Sequence, residues 1–325
     1  MSGKTYDVAV AYRVYPGVSR TPALFADDKL KLVELCLRSF KKALGSLRAK
    51  LWVLLDDCPP AYEALFRSLF PAEHLEFLPL NGVGNFATFD LQKDLLAKQQ
   101  DAELVYFAED DYFYLANALE IMAAFLRTHP DADFVTAYDH PDYYSLALHR
   151  EPCWLRIYGD RHWRTASSTC MTFLTTRDTL RRSERIFRTY KFRNIDASFW
   201  MALTKQGVGP FNPWQAARCG FAEPQLIRVF LKTWVFGWRQ ILFGKKWRLW
   251  VPVPGLGTHI ERKFLAPGTD WLEVMSEEAA GMLQPGVVAR SLMTLATPSA
   301  EHQAPGNHAR RRRVCANPDE VRRSS

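Results

Sequence analysis

The run Leu104-Val-Tyr-Phe-Ala-Glu-Asp-Asp111 carries an apolar stretch of strand character straight into three acids. Side chains alternate along an extended chain, so Glu109 and Asp111 face one way and Asp110 the other. Two carboxylates on one crevice suit a hard divalent cation, Mn²⁺ or Mg²⁺, which takes oxygen ligands and bridges to phosphate oxygens. The plainer alternative is a solvated turn between a strand and a helix, with Asp111 or Asn117 as a cap. A second strand-like run, Leu51-Trp-Val-Leu-Leu55, also ends in acids, Asp56 and Asp57.

These acids need elements to hold them. Val8-Ala-Val-Ala-Tyr12 reads as a first strand, and the segment from Lys29 to Phe40 has helical apolar spacing. Pro60 to Phe70 reads as a helix, Leu75 to Leu80 as a strand, Asn85 to Gln100 as a helix and Leu104 to Ala108 as a strand. Strand alternating with helix predicts an α/β fold, a mostly parallel central sheet with helices on both faces. Ligands of such sheets lie beyond the carboxyl ends of the strands, so both acidic clusters open onto one rim.

In the order and spacing of these parts the chain resembles the A-type glycosyltransferases, whose fold is Rossmann-like, especially the inverting family of bacterial polysaccharide and lipopolysaccharide enzymes. The matching passages are Leu54-Leu-Asp-Asp57, the turn Asn81-Gly-Val-Gly-Asn85, and Tyr106-Phe-Ala-Glu-Asp-Asp111. The resemblance is continuous from about Val8 to Leu115 and patchy to Trp271. It implies a nucleotide-diphospho-sugar donor held by Tyr12, Arg13, Asp56, Asp57, Asn85, Glu109 and Asp110, with the nucleotide base near Tyr12, Arg13 and Asp56. It also implies a divalent ion on Asp111, helped by Glu109 and His259. Where the family motif begins with Asp this chain has Glu109, whose extra methylene changes its reach.

The second half resembles the acceptor side. Trp163 to Thr176 is rich in residues of strand propensity, and Asn194-Ile-Asp-Ala-Ser-Phe-Trp-Met-Ala-Leu203 starts an apolar-periodic helix with Asp196 in its first turn. In the family an acid at this position is the base that takes the proton from an acceptor hydroxyl, which requires hydrogen-bond reach. Otherwise Asp196 complements the helix dipole, a contribution of about 0.3 to 1 kcal/mol. Pro254-Gly-Leu-Gly-Thr-His259 permits tight turns, and His259 there either completes the metal shell or meets the diphosphate. Asp111, Glu109 and His259 are thus the expected metal ligands, and Asp196 the expected catalytic residue.

The chain has 325 residues, 48% of them hydrophobic, enough for a large core and one to two domains. The expected division is a nucleotide-sugar half over 1–115, an acceptor half over 116–297 and a disordered basic tail over 298–325. Six cysteines stand without C-x-x-C spacing, which argues against zinc and a disulfide framework and favours a reducing cytoplasm. No basic, apolar leader precedes Val8, so a secretory signal is not expected.

The net charge of +7 is carried partly by Arg310 to Arg313 and Arg322-Arg323 in the tail. Those arginines read as solvated rather than as a nucleic-acid contact, since the rest of the chain shows no nucleic-acid motif. The segment from Gln225 to Trp250 contains no acid, and Arg228, Lys232 and Arg239 interrupt its apolar run. It is a poor transmembrane span and reads as an interfacial helix on an anionic leaflet, against the alternative of a buried helix with snorkelling bases. The expected activity is therefore sugar transfer to a hydroxyl of a glycan or lipid-linked acceptor, at the inner face of the cell membrane. A sugar-phosphate nucleotidyltransferase shares such a sheet, but its first strand leads into a Gly-rich loop where this chain has Ala11-Tyr-Arg-Val-Tyr-Pro-Gly17. A non-catalytic membrane-surface scaffold explains the basic aromatic segment without the acids.

Overall fold

The strongest strands are the runs in which every side chain is apolar or nearly so, because both faces of a helix-covered sheet are dry. The computed structural model describes residues 5–18, 21–146, 149, 152–208 and 224–283. It begins with β1 (Val8–Val14), α1 (Lys29–Ala43), β2 (Ala49–Asp56), α2 (Pro60–Leu69), β3 (Leu75–Leu80), α3 (Gly84–Lys98) and β4 (Leu104–Glu109). The start of α1 is fixed by Asp28, whose carboxylate accepts from Lys31 N, and α2 starts on Pro60, whose missing N–H costs nothing there. The four strands are all parallel, side by side in the order β3-β2-β1-β4.

The chain continues through β5 (Tyr112–Tyr114), α4 (Ala118–Thr128), β6 (Phe134–Val135), α5 (Asp142–Ser145), β7 (Leu155–Tyr158), β8 (Arg161–Ala166) and β9 (Phe173–Thr176). Then come α6 (Arg177–Phe187), α7 (Asp196–Thr204), α8 (Pro224–Phe243), β10 (Leu249–Val253), β11 (Gly257–His259) and α9 (Trp271–Leu283). The main sheet has the order β3-β2-β1-β4-β9-β6-β10-β8-β7, and only β9 and β8 run against the others. The expected mostly parallel α/β sheet is therefore present. A separate antiparallel ribbon pairs β5 with β11.

Period-two alternation divides the core. Val8, Val10, Tyr12 and Val14 pack towards α1, α4 and α9, while Ala9, Ala11, Phe107 and Phe173 pack towards α3, α6 and α7. One expectation is corrected in the second half, that for the basic aromatic segment. The Trp163–Thr176 run supplies the end of β8 and all of β9, and Ser167 to Thr172 leaves the sheet between them, tied down by Thr204 Oγ1 on the Ser167 carbonyl and Thr136 Oγ1 on that of Thr172. The basic aromatic segment is a helix only to Phe243, after which Trp247 and Trp250 turn into the core and Leu249–Val253 joins the sheet. All described residues belong to the unit Met1–Leu283, and the arginine-rich tail lies outside them.

Candidate active site

After β3 the chain crosses to the other side of β1 to make β4, so the strand order reverses between these neighbours and leaves a crevice beyond their carboxyl ends. Arg13 and Glu109 are register partners at that crevice. The Arg13 guanidinium donates to Glu109 Oε1 and to Asn85 Oδ1 at the start of α3. Asn85 Nδ2 donates in turn to the Tyr190 hydroxyl at 3.0 Å, and Glu109 Oε2 accepts from Thr172 Oγ1 at 3.0 Å. Burial alone would weaken the Arg13 charge, but Glu109 outweighs it and raises the Arg13 pKa.

Several acids at the rim serve the fold. Asp56 accepts from Val83 N and Gly84 N, both at 2.8 Å, so both carboxylate oxygens clamp the turn that leads into α3. Asp110 accepts from Tyr15 N at 2.9 Å and lies 3.0 Å from Lys29 Nζ, which fixes the chain leaving β1 onto the first turn of α1. Burial pushes the Asp110 carboxyl up to about 6 in spite of Lys29. Tyr12 is fully buried, edge-on to Phe40 and Phe66, so it cannot touch a nucleotide as expected from its place near the strand end. Strand alternation forces it onto the face shared by Val8 and Val10, turned away from Arg13. Glu109 likewise has both oxygens occupied, by Arg13 and Thr172, which counts against a direct ligand role in this arrangement.

Asp111, Asp57 and Asp196 differ. β4 ends at Glu109, and Asp110 and Asp111 form the turn into β5. The β5–β11 ribbon sets His259 opposite Tyr112, which brings His259 Nε2 to 3.2 Å from Asp111 Oδ2. Asp111 Oδ1 is buried and has no hydrogen-bond partner. Burial would raise Asp111, but His259, Lys29 and Arg13 together lower it, so it is ionised. Asp57 is exposed at the end of β2, in the left-handed region at φ 59°.

Burial works against a charged His259, and Asp111 with Glu109 raises its pKa nonetheless. The backbone N–H of Glu261 meets Nδ1 at 3.0 Å, so the ring proton in this arrangement sits on Nε2, facing Asp111. A metal-ligating histidine donates its other N–H instead. His259 therefore reaches Asp111 as expected, but as a hydrogen-bond donor and not set as a cation ligand.

Asp196 is the first residue of α7 and accepts from Ala197 N at 2.8 Å. Burial raises its carboxyl pKa, Glu109 adds to the rise, and the Ala197 N–H and Arg13 only partly offset it. The Cys170 thiol nearby is pushed up by burial, with Asp196, Glu109 and Asp111 adding to the rise.

A divalent cation fits the carboxylate chemistry here, because the bare, buried Oδ1 of Asp111 is a hard oxygen ligand in need of a partner. Among the described residues no three His, Cys, Asp or Glu side chains form a ready shell. Sequence reasoning missed Lys29, Tyr190, Thr172 and Cys170, which buttress or line this place. Each comes from a distant part of the chain and carries no local motif.

No family model and no curated protein sequence matches the chain. Solved structures do. TarS of S. aureus in complex with UDP-GlcNAc matches at 13% identity with a TM-score of 0.39, over 55% of this chain and 48% of that one, so the chain spans about half of that structure's length. An active-site mutant of LgtC matches at 12% identity and a TM-score of 0.43, over 85% of this chain and 95% of that one. CMP:2-keto-3-deoxy-manno-octonic acid synthetase complexed with CTP matches at 12% identity and a TM-score of 0.36, over 85% and 98%.

Proposed function

We propose that the protein is a glycosyltransferase that moves a sugar from a nucleotide-diphospho-sugar to a hydroxyl of a glycan or lipid-linked acceptor, with inversion at the anomeric carbon. The observation that supports this reading is that Asp111, with a bare buried oxygen, and Asp196, with a raised proton affinity, both feel the Arg13 guanidinium at the β1–β4 switch point. The first is a cation ligand and the second a proton acceptor, the two functions that this transfer requires.

On this reading Asp57 and Asn85 flank the nucleotide, since both are exposed at the rim while Asp56 and Asp110 hold the loops beneath them. A divalent cation on Asp111, completed by diphosphate oxygens and water, would offset the charge that develops on the departing nucleoside diphosphate. Arg13, locked between Glu109 and Asn85, keeps the positive charge of the crevice at a fixed place. His259 donates from Nε2 to Asp111 and holds that carboxylate in one orientation. Asp196 takes the proton of the acceptor hydroxyl as its oxygen attacks the anomeric carbon and the bond to the diphosphate breaks. Its pKa, raised by burial, makes it a stronger base than an exposed carboxylate.

The test is a panel of nucleotide-diphospho-sugars, measured for binding and hydrolysis with Mn²⁺, Mg²⁺ or EDTA. Metal-dependent binding of one donor by the wild type, lost in Asp111→Asn, is the expected result. Failure of a folded protein to bind any donor would overturn the reading and favour a non-catalytic scaffold.

A further inference from the structure

One face of α8 is apolar and bare. Ile227, Leu231, Val235, Trp238, Leu242 and the terminal Phe243 are 44% to 79% exposed. At 3.6 residues per turn the first five fall within an arc of about 80°, a stripe roughly 24 Å long. The side of the helix away from the bases is spoken for: Val229, Trp234 and Ile241 pack with Met201, Ala202 and Val208, and Gly237 sits tight against Ala202 of α7. An apolar strip of this length on a described surface marks an interaction site.

The charges beside the stripe say what it meets. Arg228, Lys232 and Arg239 follow one edge, about 20° to 60° beyond it, and no Asp or Glu occurs from Pro224 to Ile260. A second copy packing α8 on α8 about a two-fold axis would bring these bases together with no acid on the helix to answer them. An anionic lipid surface supplies both an apolar layer for the stripe and phosphates for the bases. No helix among the described residues is long and apolar enough to cross a membrane, so the helix would lie along the surface.

We propose that α8 docks the protein on an anionic bilayer, with Ile227, Leu231, Val235, Trp238 and Leu242 below the headgroups and Arg228, Lys232 and Arg239 among the phosphates. Lys232 Nζ also donates to the Arg193 carbonyl, three residues before Asp196, so the docking face adjoins the turn that carries the proposed base. The docking stands on α8 alone and does not depend on the transferase reading.

The test is sedimentation of the full chain with vesicles of phosphatidylcholine alone or mixed with phosphatidylglycerol. Selective binding to the mixed vesicles is expected, with a blue shift of tryptophan emission. Leu231→Asp combined with Val235→Asp should abolish binding without lowering the melting temperature, because both side chains are exposed. Arg228→Gln combined with Arg239→Gln should lower the partition coefficient about twenty-five-fold, at about fivefold per base. This charge pair keeps the test open if the Asp variant fails to fold. Equal partition into the two vesicle types overturns the proposal. So does a dimer in sedimentation velocity that the Leu231→Asp and Val235→Asp variant dissolves, which would assign the stripe to a second copy.

Discussion

Asp196→Asn separates the chemistry of the proposed base from its structural part. Asn keeps the oxygen that accepts from Ala197 N and the shape of the side chain, but it cannot take a proton. If Asp196 is the base, kcat falls about 10² to 10⁴-fold, or about 3 to 5 kcal/mol on the barrier, while donor affinity stays near the wild-type value. Stability should move the other way. Burial raises the carboxyl pKa in the folded chain, so the folded state holds its proton more tightly than the unfolded chain and loses stability as pH rises from about 4 through the raised value. Asn carries no such cost, so the variant should melt above the wild type at pH 7 and together with it below about pH 4. The wild-type kcat should fall on the acid side as Asp196 becomes protonated, and the residual rate of the variant should lack that limb. The assays are donor turnover and thermal unfolding across pH. A variant that turns over within tenfold of wild type would refute the base assignment, and one less stable at every pH would refute the burial argument.

Asp111→Asn should abolish Mn²⁺ binding read by electron paramagnetic resonance, and the His259 pKa read by NMR should fall, since Asp111 is the largest influence raising it against burial. Lys93 is buried among Asp90, Asp94 and Glu184, which keep Lys191, Lys98 and Arg188 in Lys93→Met, so the variant should lose stability in denaturant unfolding but less than the roughly 3 to 5 kcal/mol of a broken fully buried pair. The same acids are held below their usual range, burial notwithstanding for Asp90 and Asp94, so the wild type should lose stability as pH falls below about 4 and the variant should lose less. In Gly237→Ala the new Cβ would meet Ala202 Cβ at 2.5 Å. Overpacking of about 1 to 3 kcal/mol should outweigh the helix-propensity gain of about 1 kcal/mol, and a variant more stable than wild type would show that α7 and α8 are not in close contact.

What was legible in the sequence is what local periodicity encodes. The runs of β1 to β4 and the helices α1 to α3 follow from apolar spacing, and the acids at strand ends follow from where those runs stop. Tyr12 was misplaced although alternation carries the correct signal, since Val8, Val10 and Tyr12 must share a face. The β5–β11 ribbon left no such trace: Tyr112–Tyr114 is three residues long, and its partner comes from the far end of the fold. His259 could be suspected from its glycine-rich turn, but its role as a donor to Asp111 depends on the Glu261 N–H at its other nitrogen. Likewise Trp247 and Trp250 look like the rest of a basic aromatic helix, and only pairing with β6 and β8 draws Trp250 inward.

The charges at the rim explain why a cation belongs in the proposed mechanism. Glu109, Asp110, Asp111 and Asp196 gather there against two permanent positive partners, Arg13 and Lys29. The acids of the crevice outnumber its bases, so it carries an excess of negative charge. A diphosphate entering it brings more negative charge, so donor binding without a counter-ion is opposed by the residues that would act on the donor. Arg13 and Lys29 cannot relieve this, because each is already paired with its own carboxylate. A divalent ion on Asp111 would offset the excess and leave Asp196 free for its proposed part as base, so EDTA should weaken donor binding itself and not only turnover. If EDTA slowed turnover while donor affinity held, the cation would be acting on the leaving group alone, and the charge argument for binding would be wrong.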